Sequence, residues 1–253
     1  MIYEPKHHTM TINAFTIHNV GVTGSTNLDA IKLAKNGAQT GTVVIADEQT
    51  CGSGRHQRQW VSPKGNLYFS IVLREHLHVP TISFAAALSV GMVIEQIFLD
   101  HYRHKKIPSI NYKWPNDVVV DDKKICGILL QAESQKNEIQ WMVCGIGVNV
   151  LSSPAYATHI CHHCPDVTLP PQKLLCMVLE SFTKVMDLYM ANGFSLLRRL
   201  WLKRAHKINE QVSIVTSSGT VYEGKFVDIH PEDGSVVLKS GSNILNIDYG
   251  EML

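Results

Sequence analysis

Three cationic side chains stand where the local sequence would fix their direction: Arg55 and Arg58 in the segment 47–60 (DEQTCGSGRHQRQW), and Lys113 immediately before a Trp-Pro dipeptide. Guanidinium groups are fork-shaped donors that match phosphate or carboxylate oxygens. Gly52 and Gly54 let the same segment take positive φ and approach a ligand closely, and Trp60 closes it with an apolar plate suited to a planar ring. Such a loop suits closure over an anion; taken alone, it reads equally well as a solvated connection between strands. Lys113 has the same two readings, a surface charge or a cation aimed by rigid backbone. Pro115 fixes its own φ and biases Trp114 toward an extended conformation.

The loop joins two apolar runs, 42–46 (TVVIA) and 67–73 (LYFSIVL), which read as buried strands. Before them, residues 14–20 read as a strand and VTGSTNLDAIKLAKNG as a short helix. In that helix Thr26 and Asp29 have capping-box spacing, and Gly37 follows the last turn. The helix start presents Ser25, Thr26 and Asn27, which would either cap or hold a polar ligand at the positive end of the helix dipole.

Residues 81–100 form an apolar helix for burial against a sheet, with Gly91 allowing close packing. Residues 111–133 (NYKWPNDVVVDDKKICGILLQAE) read as strand, turn, short strand, tight connection and returning strand, and 139–150 (IQWMVCGIGVNV) as a strand ending in Gly145, Gly147 and Asn149. The latter glycines lack the spacing of a dinucleotide fingerprint, and no GxxxxGK[ST] is present, so a bound nucleotide needs another device. Helices are expected over 172–190 and 194–205. Beyond residue 206 short alternating segments at 212–216, 220–228, 235–239 and 244–247 predict a small barrel. The expected domains are thus residues 1–206 and 207–253.

The 253 residues carry a formal net charge of +1, which argues against a general nucleic-acid binder. Glu4, Pro5 and Lys6 break up the N-terminus, so no signal peptide is expected there, and no apolar run approaches a membrane span. A cytoplasmic protein with six free thiols is the expectation. Cys161 and Cys164, with His159, His162 and His163 nearby, have the spacing of half a zinc site, but no second half completes it.

Five stretches together resemble the biotin protein ligases: STN at 25–27, QTCGSGRHQRQW at 49–60, KWPND at 113–117, GILLQ from Gly127, and GIGVN at 145–149. The resemblance implies an α+β catalytic domain with a mixed β-sheet, of the biotin/lipoate ligase kind, and an SH3-like C-terminal barrel. It also implies a two-step reaction. Biotin and ATP, with magnesium, give biotinyl-5'-adenylate and pyrophosphate, and a lysine of a biotin carboxyl carrier domain then takes the biotinyl group.

By the same resemblance Arg55 and Lys113 lie against carboxylate and phosphate, and Arg58 near the phosphates. Ser25, Thr26, Asn27, Gln49, Gly52 and Gly127 fall in the biotin site. Trp60 covers the adenine, with Asn116 and Asn149 on the adenylate side. The family loop is usually GRGRxGR; here Ser53 replaces the first arginine and Gln57 the later glycine, which implies looser retention of the adenylate. About 24 residues precede STN, too few for the helix-turn-helix module of some members, so no sequence-specific DNA binding is expected. A homodimer through a sheet edge is compatible with the resemblance. Competing readings are a lipoate or octanoate ligase, a non-catalytic biotin-binding protein and an RNA-binding barrel. KWPND, the retention of both Arg55 and Lys113, and the lack of a basic patch after residue 206 weigh against them in that order.

Overall fold

The computed structural model describes residues 8–12, 14–74, 79–103, 105–136 and 138–253. The expectation about a signal sequence in residues 1–7 lies outside these. The chain divides into two compact units, residues 1–79 with 125–178, and residues 80–124 with 179–253. The expected C-terminal segment, 207–253, falls wholly in the second.

The first unit opens with β1 (His8–Ile12), β2 (Phe15–Asn19), β3 (Val22–Thr23), α1 (Thr26–Lys35), β4 (Thr42–Ala46), β5 (Glu48–Gln49) and β6 (Leu67–Leu73). The chain then passes through α2 (Val79–Tyr102), β7 (Ile110–Lys113) and β8 (Asp117–Val120). It continues with β9 (Lys123–Gln135), β10 (Glu138–Val148), α3 (Ile160–His163) and the start of α4 (Pro171–Asn192). Six strands of the first unit lie in the order β1-β2-β4-β6-β10-β9. Only β2 and β4 run parallel, the other neighbours being antiparallel, so the sheet is mixed.

Register decides which side chains share a face. Val44, Ser70, Gly145 and Leu129 line up across β4, β6, β10 and β9, followed one step along by Ala46, Tyr68, Gly147 and Gly127. Toward the other end of this face, Val44, Val72, Trp141 and Val143 pack against Ala30 and Ala34 of α1. The alternate residues Val43, Ile45, Phe69, Ile71, Cys144 and Ile146 are buried too. Burial of both faces explains why β4 and β6 read as continuous apolar runs rather than alternating ones.

In the second unit α2 is longer than the sequence reading allows, and Thr81–Tyr102 would be long and apolar enough to cross a membrane by length and composition. Most of that stretch is buried, as in the core helix of a folded domain. Phe84 meets Phe194 and Trp201 of α5 (Phe194–Leu202) edge-on at centroid distances of 5.2 and 5.0 Å. A Cβ on Gly91 would stand 2.5 Å from the Tyr112 hydroxyl, so this glycine does serve close packing of α2 on β7.

The unit ends in β11 (Gln211–Val215), β12 (Val221–Ile229), β13 (Val236–Ser240), β14 (Asn243–Ile247) and β15 (Glu251–Met252). They form an antiparallel sheet in the order β14-β13-β12-β11-β15, consistent with an SH3-like domain, around Val212, Ile214, Phe226, Leu238 and Met252. No closed barrel is made by these pairings.

Candidate active site

Helix α1 begins at Thr26 with Ser25 as its N-cap residue, and the Ser25 side chain makes no capping hydrogen bond. Asp29 does not complete a capping box with Thr26 either. It accepts from the Thr23 hydroxyl instead, and the backbone N–H of Asp29 donates to Ser25 O. The capping-box expectation is corrected in the direction that matters for binding. The Thr26 N–H donates to Gln49 Oε1 at 2.9 Å, with Thr26 Oγ1 3.2 Å from the same oxygen. Gln49 Nε2 donates to Ser62 Oγ (3.0 Å), which donates to Trp60 O (2.9 Å).

Asn27 is buried and donates through Nδ2 to Gln131 Oε1 (2.9 Å) and Leu129 O (3.3 Å). Fully buried Ser70 lies 2.6 Å from Asn27 Oδ1 and 2.8 Å from Thr26 Oγ1. A Cβ on Gly145 would sit 1.9 Å from Asn27 Oδ1, so only glycine leaves room for this amide on the strand. Thr26, Asn27 and Gln49 are thus brought together as expected. Ser62, Ser70 and Gln131, which hold them, were not singled out by the sequence, although Gln131 closes the GILLQ stretch. Small polar residues inside apolar strands were the available signal.

The 49–62 segment is a folded hairpin rather than a loose loop. Gln49 bridges Ser62, Ser53 bridges Gln59, the Trp60 N–H donates to Gly52 O (2.8 Å), and the Gly54 N–H donates to Arg58 O (2.7 Å). A 3-10 turn, Arg55–Gln57, forms its tip. A Cβ on buried Gly52 would meet Trp60 O at 2.5 Å and Ser62 Oγ at 2.6 Å. The hairpin lays the Trp60 indole over Gly147, where a Cβ would fall 2.6 Å from Nε1, and Gly127 is the direct cross-strand partner of Gly147. The glycines remove side chains from adjacent strands and leave a floor under the ring. Arg55 is half-buried and Arg58 exposed on this hairpin.

Lys113 belongs to the second unit, at the end of β7, opposite Asp117 in the β7–β8 register. Burial lowers the Lys113 ammonium from its ordinary 10.5, while Asp117 and Glu251 pull the other way. Burial raises the Asp117 carboxyl, against the pull of Lys124, whose Nζ stands 2.7 Å away. The Trp114–Pro115 bond is cis, and Trp114 is buried with Nε1 donating to Gly234 O at 3.1 Å. Backbone bonds from the Tyr112 N–H to Arg204 O and from the His206 N–H to Tyr112 O, both 2.8 Å, fix the other edge of β7. Lys113 therefore leaves a turn anchored on both sides, with half-buried Asn116 inside that turn.

Asn149 is buried, and its Nδ2 donates to Thr158 O at 3.0 Å, which leaves Oδ1 and the second Nδ2 proton for the adenylate contact expected of it. Another asparagine absent from the sequence reading, Asn66, accepts from the N–H groups of Val150, Leu151 and Ser152 (2.8, 2.9 and 3.2 Å) and pins the turn after β10. The HICHHC stretch serves the same turn: the His159 ring contacts Ser153 Oγ, and the His163 ring contacts Thr158 Oγ1. Among the described residues no three His, Cys, Asp or Glu side chains converge as metal ligands.

This arrangement matches a known family. The profile of the biotin/lipoate A/B protein ligase family covers residues 21–149, and the chain belongs to that family. It is 31% identical over 238 residues to the bifunctional ligase/repressor BirA of Bacillus subtilis, spanning 89% of this chain and 70% of that protein. It is 30% identical over 228 residues to the biotin--[acetyl-CoA-carboxylase] ligase of Paracoccus denitrificans, spanning 86% of this chain and 91% of that one. Among solved structures, the biotin protein ligase of Aquifex aeolicus in complex with biotin and ATP superposes with a TM-score of 0.78. It is 26% identical and covers 94% of this chain and 97% of that one.

Proposed function

We propose that this protein is an ATP-dependent biotin protein ligase that activates biotin as biotinyl-5'-AMP and transfers it to a lysine of a biotin carboxyl carrier domain. The observation that carries the reading is the polar socket of Thr26, Asn27, Gln49, Ser70 and Gln131 beside a sheet face cleared by Gly127, Gly145 and Gly147. A socket of preset donors and acceptors suits a cyclic urea, and the Trp60 indole seated on Gly147 offers a plate on which a flat ring can stack. Relatives named as biotin ligases, and a structural neighbour holding biotin and ATP, support the same substrates.

In the first half-reaction the biotin carboxylate attacks the α-phosphorus and pyrophosphate leaves. In the second the neutral carrier amine attacks the acyl carbonyl and AMP leaves. Two unit charges about 4 Å apart repel by roughly 4 kcal/mol at an effective dielectric near 20, nearly three powers of ten in rate. Arg55 and Lys113 supply the positive charge that removes this repulsion, and Arg58 adds to it near the phosphates. Magnesium bound with ATP would shield the phosphates from the attacking carboxylate. The 207–253 domain helps seat ATP or the carrier.

The test is biotin-dependent exchange of labelled pyrophosphate into ATP, run beside lipoate and octanoate and beside an Arg55→Ala, Lys113→Ala double variant. Exchange with biotin alone, lost in the variant, is the expected result. Exchange supported by lipoate or octanoate in place of biotin would move the assignment to the other branch of the family. Biotin binding without any exchange would leave a binding protein.

A further inference from the structure

Two lysines flank one buried carboxylate in the second unit, but the adenylation chemistry draws on only one of them. Lys113 ends β7 and Asp117 begins β8 directly opposite it, so the two side chains share a face of the hairpin. From the neighbouring strand β9, Lys124 reaches the same carboxylate, with Nζ 2.7 Å from Asp117 Oδ1. The connection that brings it there is the two-residue turn Asp121–Asp122, both with positive φ (46° and 63°), a conformation that matches the twist of paired strands.

The Asp117 side chain is only 19% exposed and that of Lys124 32%. A carboxylate so enclosed holds its charge only with a cation beside it, and Lys124 meets that need. Four other groups act around Lys113 besides Lys124. Asp117 from β8 is the strongest charge on it, Glu251 from β15 also favours its ammonium, and Lys207 opposes it. His206 is the fourth, and Lys113 opposes the protonation of its ring. Lys207 and His206 have their own partners, Leu253 O at 3.0 Å and Asp122 Oδ1 at 3.4 Å. Without Lys124, the cation left facing Asp117 across the strand register is Lys113.

We propose that Lys124 is a positioning residue for the adenylation step: by pairing with Asp117 it keeps that carboxylate from capturing Lys113, whose ammonium stays available to the biotin carboxylate and the α-phosphate. The inference rests on the biotin ligase reading and adds to it the residue that keeps Lys113 uncommitted.

The experiment measures biotin-dependent pyrophosphate exchange against pH for wild type, Lys124→Met, Lys124→Arg, Asp117→Asn and the Lys124→Met, Asp117→Asn double variant. In the same proteins the pH dependence of Lys113 acetylation by acetic anhydride is read by mass spectrometry. In Lys124→Met the carboxylate turns to Lys113, and exchange at neutral pH falls roughly 10- to 150-fold, the worth of one hydrogen bond to a charged group. The alkaline limb and the labelling midpoint both move to higher pH, because Lys113 gains an uncompensated carboxylate and loses a like charge. Lys124→Arg keeps the pair and restores both rate and limb. In the Asp117→Asn background, Lys124→Met changes the rate less than about twofold, because there is no carboxylate left to release. A loss of rate that persists undiminished in that background would show that Lys124 acts on the substrates directly. A limb that stays in place or moves to lower pH in Lys124→Met would show that Asp117 does not capture Lys113, and either result overturns the proposal. Wild type that supports no exchange overturns the functional reading instead, and the labelling midpoints still decide whether Lys124 keeps Asp117 from Lys113.

Discussion

Gly145 and Gly147 are two residues apart on one strand, yet each should serve a different substrate, and alanine at each position separates them. An added Cβ at Gly147 would stand 2.6, 2.7 and 3.0 Å from Nε1, Cε2 and Cζ2 of Trp60, where ordinary contact starts near 3.4 Å. The indole must therefore retreat by about 0.8 Å, since β10 is held on both sides by β6 and β9 and cannot yield. If Trp60 covers the adenine, a displaced plate loses much of a stacking contact worth about 1–3 kcal/mol, which is roughly a 5- to 150-fold rise in KM for ATP. KM for biotin should change far less.

At Gly145 the Cβ would fall 1.9 Å from Asn27 Oδ1 and 2.7 Å from its Cγ, so Gly145→Ala breaks the polar socket and raises KM for biotin instead. Both variants should also lose about 1–3 kcal/mol of stability to overpacking, measurable by urea denaturation. Pyrophosphate exchange at varied ATP and varied biotin supplies both constants. Gly147→Ala with an unchanged KM for ATP, or Gly145→Ala acting on ATP alone, would refute the assignment of the two glycines.

Because burial lowers the Lys113 pKa from 10.5, the ammonium loses its charge at a lower pH than an ordinary lysine, and the exchange rate should fall on an alkaline limb below 10.5. Asp117 holds that proton on, so Asp117→Asn should move the limb to still lower pH; a limb that stays in place would show that another group titrates. Gln57 has φ of 59°, a left-handed conformation that favours glycine. Relief of about 1–3 kcal/mol of backbone strain, offset by about 0.5–1 kcal/mol of added unfolded-state entropy, makes Gln57→Gly neutral to mildly stabilising. A loss above about 1 kcal/mol in denaturant titration would contradict this. Ser53 is exposed, pairs with Gln59 across the hairpin, and its hydroxyl donates to Cys51 O. Ser53→Arg should fold normally and slow adenylate dissociation, as followed by release of labelled biotinyl-AMP, and an unchanged rate would remove Ser53 from the account of retention.

The local periodicities carried most of the elements. Helix α1, the strands flanking the hairpin, the β7–β8 turn and the short strands after residue 206 were legible because apolar spacing and turn residues act within a few positions. Thr26 shows the limit. Its spacing to Asp29 is that of a capping box, but Gln49 from one segment and Ser70 from another compete for its polar groups, and tertiary contacts win. The same segment reads in sequence as a loop suited to close over an anion or as a solvated connection, whereas its own cross-strand hydrogen bonds close it.

By itself, the sequence determined the chemistry: two arginines, a lysine before Trp-Pro, the STN and GIGVN stretches, and hence the kind of ligand such residues suit. Only the tertiary structure decided which residues hold that chemistry in place. Ser62, Ser70 and Gln131 are single polar residues without a local pattern, and their roles exist only because strand register sets them beside Thr26, Asn27 and Gln49. Likewise, Gly145 and Gly147 read as a strand end in sequence. In the fold they are the missing side chains that admit an asparagine and a tryptophan, a requirement imposed by segments distant along the chain.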